Sequence, residues 1–373
     1  MSAIKHKRLC FLYALIIFVS IFSFSQKSFA NFPTFVTEDI TTDTTWTLEN
    51  SPYVVEDSFS VLAGATLTIG SGVVVKLRDA SIGVLGSISA QGTEAEPIYF
   101  TSFYDDAVAP EVDDEELCLD EVCESFDGGD PFPEDWRDIY FDNSTGSNFQ
   151  NVYLKYARFS LNFQSSRANF KNITVEKSSS GLVIFGESHV EISGGVFDSL
   201  ERNALALFEG ADLILDNVNI SNIFDDAISL FDDSSLDASN LTIKNIEDDA
   251  LGLYDRASMV LNNVEISNIY GDAVGMYDSS SLNASGLSVK NIDDGSAIGI
   301  YNASAVIEDS IFEGGLDAGI ELYGGSLTLR DSSVSGYPDG NIVVYDNGVA
   351  TLERLKIENS DYGVSVYEGT VTF

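Results

Sequence analysis

Along most of the chain, apolar residues alternate with small or polar ones in short runs. Leu251-Gly252-Leu253, Val274-Gly275-Met276, Ile298-Gly299-Ile300 and Val364-Ser365-Val366 are examples. A period of two predicts β-strands, because successive side chains in a strand point to opposite faces. A second short strand precedes each of these, as in Leu241-Thr242-Ile243 and Val264-Glu265-Ile266. Asn, Asp, Gly and Ser fill the bends between them, and only seven prolines occur in 373 residues. No window carries the i, i+3, i+4, i+7 stripe of an amphipathic helix, which excludes helical repeats.

The strands recur on a fixed period. An aromatic residue closes each core strand at Phe185, Phe208, Phe231, Tyr254, Tyr277, Tyr301, Tyr323, Tyr345 and Tyr367, in steps of 22–24 residues. Short strands at this spacing with no helix between them predict an all-β parallel β-helix with 22–23-residue coils. From about residue 147 some ten coils would form a rod of about 45–50 Å, at about 4.8 Å per coil. Asn222, Asn245, Asn268 and Asn291 recur at steps of 23. They read as a buried ladder whose amides bond from coil to coil.

Four segments follow. Residues 1–30 form a leader, 31–104 an N-terminal cap and first coils, 105–135 an acidic loop insertion, and 136–373 the regular coils. The strand grammar of 53–104 is less regular than that of the later coils. Thr370-Val371-Thr372-Phe373 opens another strand, and an open strand edge there predicts either that the sequence is a fragment of a longer chain or that a partner covers that end, end-to-end association included.

This grammar, over roughly residues 45–373, resembles the right-handed parallel β-helix proteins of the pectin-lyase-like superfamily. The stretches GATLTIGSGVVVKL and GSISAQGTEAEPIYFTS are similar to the opening coils of secreted bacterial β-helix proteins. The resemblance implies a fold shared by pectate lyases, polygalacturonases, mannuronan epimerases and members without assigned activity, so it does not choose a function.

Charge narrows the partners. The chain carries 59 acidic and 19 basic side chains, a formal charge of −40. Such a surface repels nucleic acid and anionic lipid. Its 44% hydrophobic content places that charge on a folded body and not on a disordered chain. The leader has a basic start (KHKR), an apolar run over residues 9–24 and small residues at Ser28 and Ala30, which predicts cleavage before Asn31 and a secreted or cell-surface protein. An uncleaved anchor is the alternative; no other stretch is apolar enough to span a membrane. In an oxidising compartment Cys118 and Cys123 are expected to form a short local disulfide.

Three columns could carry chemistry. Asp225-Asp226, Asp248-Asp249 and Asp272 precede successive core strands; a second, mostly acidic column follows the aromatic; the aromatics form the third. Carboxylates stacked about 4.8 Å apart repel by about 0.9 kcal/mol per pair even in water. They must splay into solvent, stay protonated or share a hard cation, and calcium fits an all-oxygen site. The competing reading is a solvated turn, where Asp is favoured by bonds to nearby amides. Asp127 and Asp130 in the insertion are further calcium candidates. Phe231, Tyr254, Tyr277 and Tyr301 either present a stripe for stacking on sugar rings or pack as a structural ladder.

A catalytic role competes with these. An Asp-Asp pair such as Asp225-Asp226 looks like that of polygalacturonases, but the Gly-His-Gly and Arg-Ile-Lys strings that accompany it in those enzymes are absent. A motif copied on three coils also predicts like environments, where acid–base catalysis needs unlike ones. The expectation is therefore an exported, non-catalytic scaffold binding a glycan or a cell-surface protein, with a polysaccharide-active lyase or glycoside hydrolase as the alternative.

Overall fold

The computed structural model describes residues 33–109 and 129–373. The leader and its cleavage point, Cys118, Cys123 and Asp127 lie outside the described residues. No helix among the described residues is long and apolar enough to cross a membrane.

The chain winds as a parallel β-helix. One coil shows how. Leu251–Leu253 forms the first face; Tyr254, Asp255, Arg256 and Ala257 turn the corner; Ser258–Ile269 then runs along the second and third faces. This twelve-residue strand bends at Asn263 and again at Asn268, where φ is +55° and +58°. The chain then crosses Tyr270-Gly271-Asp272 to the first face of the next coil, Val274–Tyr277. Pairing is parallel with constant register: Leu251 opposes Ile228 behind it and Val274 ahead. The first face continues as thirteen stacked strands, from Phe59–Val61 to Val364–Val366.

Alternation fills the interior. Leu251 and Leu253 are fully buried, as are their counterparts Ile228, Leu230, Val274 and Met276, and these columns belong to one continuous core. Toward the N-terminal end the core turns aromatic, with Phe141 and Phe163 stacked 4.6 Å apart. Ile82–Val84 pairs directly with Ile139–Asp142, so the coil before the insertion stacks on the coil after it.

The asparagine ladder exists but is not buried. Asn245, Asn268 and Asn291 each donate to the amide oxygen one coil back at 3.0–3.1 Å, while all stand exposed at the corner. The reason is the left-handed backbone, φ +55° to +58°, which Asn tolerates and which aims the side chain outward. A second ladder, Asn263 to Asn240 at 2.8 Å, occupies the other bend. Asn268→Ala should lose its two ladder bonds and meet the Cβ penalty at positive φ, costing about 1–2 kcal/mol in urea unfolding. Asn268→Gly should recover part of that by relieving the backbone.

Candidate active site on the first face

The middle residue of each first-face strand points outward, in the register Ser229, Gly252, Gly275, Gly299, Glu321. The glycines make room. A Cβ on Gly252 would lie 2.9 Å from the Tyr254 ring; on Gly275, 3.1 Å from the Tyr277 ring and 3.2 Å from Asp249 Oδ2. On Gly299 it would lie 2.7 Å from Asp272 Oδ2 and 2.9 Å from the Tyr301 ring. Each tyrosine thus folds back across the strand from one edge, and over Gly275 and Gly299 a carboxylate, of Asp249 and Asp272 in turn, reaches in from the other. The glycine strip is what brings the two columns together.

The carboxylates are first of all turn anchors. Oδ1 of Asp226, Asp249 and Asp272 accepts the backbone amide one coil on, from Asp249 at 3.3 Å, Asp272 at 2.7 Å and Ser296 at 2.7 Å. Ser229 Oγ donates to Asp226 Oδ2 at 2.6 Å. Burial raises all three carboxyl groups, Asp226 to about 6, Asp249 to about 7 and Asp272 to about 6, and neighbouring acids push the same way.

Sequence reasoning missed Glu321. It stands where earlier coils have glycine or serine, and burial, followed by Asp317 and Asp272, raises it to about 7. Ser296 takes the aspartate register on the coil between, so the row passes from Asp272 to Glu321. A glutamate breaking the glycine register was the signal. The charges that bear most on these four groups are other carboxylates; no cation is among them.

Asp225, Asp226 and Asp248 bring oxygen atoms within 4.8 Å of one another, and this all-oxygen set could hold calcium. Asp249 and Asp272 lie along the row beyond that cluster, and Asp130 is exposed in the insertion. The second acidic column occupies the corner after the aromatics: Asp232, Asp255 and Asp278 are exposed with φ of +50° to +51°, a turn conformation.

All nine aromatic residues form one ladder, with centroids 4.3–5.3 Å apart and planes within 16° of parallel. Phe231, Tyr254, Tyr277 and Tyr301 cover one another's faces, and all four are half-buried. The change from Phe to Tyr falls where the carboxyl row begins. Burial, then the nearby aspartates, pushes the phenols of Tyr254 and Tyr277 well above the ordinary range. Ultraviolet titration should accordingly show these tyrosines silent until alkaline unfolding; smooth ionisation near pH 10 with the fold intact would contradict the packing.

The family model described as a right handed beta helix region matches residues 138–286 and 272–373. A search of the curated proteins finds no match. Among solved structures, the chain is similar to a variant of the periplasmic alginate epimerase AlgG (TM-score 0.55, 10% identity, 86% of this chain and 77% of that one). It is also similar to the catalytic domain of a GH87 α-1,3-glucanase variant in complex with nigerose (TM-score 0.54, 12% identity, 91% and 69%). A third is the catalytic unit of a GH87 α-1,3-glucanase from Streptomyces thermodiastaticus (TM-score 0.50, 12% identity, 86% and 62%). At such identities the likeness shows the fold and not a shared reaction. It still corrects the expected non-catalytic scaffold, because the solved structures it is similar to are polysaccharide-active enzymes. The copied motif also does not run on unchanged, since Ser229 donates to Asp226 at one end and Ser296 and Glu321 replace the repeat at the other.

Proposed function

The chain belongs to the right-handed β-helix family, and from that premise we propose that it is an exported glycoside hydrolase acting on a neutral polysaccharide. The observation that carries this reading is the carboxyl row of Asp226, Asp249, Asp272 and Glu321 lying over the glycine strip beside the tyrosine edges. Four interacting groups titrating between about 6 and 7 share protons near neutral pH, so acid and base coexist on one face.

Asp249 is assigned as the proton donor to the glycosidic oxygen, since it stays protonated to about pH 7. Asp272, one coil away and titrating near 6, is assigned as the nucleophile. Coil stacking sets their backbones about 4.8 Å apart, nearer the about 5–5.5 Å carboxyl separation of retaining glycosidases than the about 6.5–9.5 Å of inverting ones, so the products should keep their anomeric configuration. Lyase and epimerase chemistry is disfavoured here: uronates would meet an acidic row on which no Lys or Arg is among the groups that bear most. The tyrosine hydroxyls would hold sugar hydroxyls along the strip. A leader directing export and a polymeric substrate outside the cytoplasm agree with one another.

The test is release of reducing ends from soluble mixed-linkage β-glucan, hydroxyethylcellulose, dextran, insoluble α-1,3-glucan, polygalacturonate and alginate, with product anomers followed by NMR. Release with retention supports the assignment. Inversion would move the nucleophile role off Asp272, and release from polygalacturonate or alginate alone would overturn the neutral-substrate reading.

A further inference from the structure

A column of exposed side chains stands on the corner through which each coil enters the carboxyl face. The amides of Phe224, Glu247, Tyr270, Asp293 and Leu316 bond in turn to Leu200, Ile223, Ile246, Ile269 and Ile292, at 2.9–3.1 Å. That fixes the five residues one coil apart in a single column. Phe224 is 72% exposed, Tyr270 54% and Leu316 70%, and the intervening Glu247 and Asp293 are exposed too. Large apolar groups therefore alternate with carboxylates, and the apolar groups recur every second coil, about 9.6 Å apart at twice the strand spacing.

Packing does not account for this alternation. Among the described residues neither Phe224 nor Tyr270 stacks on another ring, whereas the nine ladder aromatics cover each other. The column also follows the carboxyl row. Phe224 immediately precedes Asp225-Asp226, Tyr270 lies two residues before Asp272, and Leu316 precedes Asp317, which bears on Glu321.

We infer that this column is a substrate-holding rim for an extended, uncharged glycan laid parallel to the solenoid axis, with Phe224 and Tyr270 as its sugar platforms. Aromatic faces take the apolar C–H faces of sugar rings, and carboxylates between them accept hydrogen bonds from hydroxyl groups. The spacing of the platforms is close to that of alternate residues in an extended β-1,4-type chain, whose every second sugar presents the same face. A polyuronate would meet Glu247 and Asp293 as like charges. The inference deepens the hydrolase reading and rests on it for the placement of the chain over Asp249 and Asp272.

Native affinity electrophoresis through hydroxyethylcellulose, mixed-linkage β-glucan, dextran and polygalacturonate tests it, with reducing-end release measured in parallel. Phe224→Ala, Tyr270→Ala and the double variant are compared with wild type and with Val260→Ala, an exposed position (40%) on another face. The expected result is retardation of wild type and Val260→Ala by the β-linked gels, with affinity weakened about tenfold in each rim variant and unfolding temperature unchanged. Rim variants migrating like wild type in every gel would overturn the rim, as would a wild type retarded by no neutral gel or most by polygalacturonate. Cleavage that survives intact in the rim variants would sink the rim and leave the hydrolase. Retardation lost in the rim variants, without cleavage by wild type, would support the rim and sink the hydrolase.

Discussion

Asp249→Asn is expected to melt at a higher temperature than wild type at pH 8 and to lose a factor of about 10²–10⁴ in hydrolysis. The two effects share one cause. Burial lifts the Asp249 carboxyl from 3.8 to about 7, so the folded state favours its protonated form. The stability that protonation contributes is complete below about pH 4 and is lost as pH rises through about 7. At pH 8 an ionised carboxylate sits among other acids, a penalty of about 2 kcal/mol after allowing for relaxation and solvent access. Asparagine removes the charge and keeps the oxygen that accepts the Asp272 amide at 2.7 Å, so the turn survives. The melting difference should shrink toward pH 4, where both side chains are neutral. A variant less stable than wild type at pH 8 would mean that Asp249 is anchored by its charge, against the row described above.

Gly299→Ala should cut turnover by about two orders of magnitude, because displacements of about 1 Å at a catalytic group have that effect. The added Cβ would lie 2.7 Å from Asp272 Oδ2 and 2.9 Å from the Tyr301 ring, so one or both must move. Both are side-chain ends and the backbone φ at Gly299 is not left-handed, so the fold should yield at little cost. Unfolding temperature is expected to change by only a few degrees while kcat falls. The comparison site is Gly210, where φ is +76° and a Cβ meets nothing within 4 Å. Alanine there strains the backbone but leaves the strip untouched, so it should lower stability and spare kcat. Equal activity in wild type and Gly299→Ala would remove Asp272 from the chemistry.

The winding was legible because it depends on features that a sequence displays directly. Alternation at Leu251-Gly252-Leu253 and a step of 23 between Phe231 and Tyr254 translate one to one into inward columns and a stacked ladder. The asparagines were found but misplaced to the interior, since spacing reports a ladder and not the sign of φ that turns it outward. The site was harder to see. Gly252, Gly275 and Gly299 first read as the polar half of an alternation; only the ring lying over each shows why nothing larger fits. The raised carboxyl groups depend on that ring cover and on a coil-to-coil approach, neither of which is local. Glu321 escaped notice because it sits in the glycine register and not in an aspartate pair. Phe224 and Tyr270 escaped because an exposed aromatic in a turn belongs to no strand period.

The most direct test of the central claim is the pH dependence of reducing-end release from mixed-linkage β-glucan, for wild type beside Asp249→Asn. A catalytic row predicts a bell, rising through about 6 as the nucleophile ionises and falling through about 7 as the acid loses its proton, with Asp249→Asn near baseline throughout. An Asp249→Asn variant that releases sugar as fast as wild type, with the same profile, would contradict it.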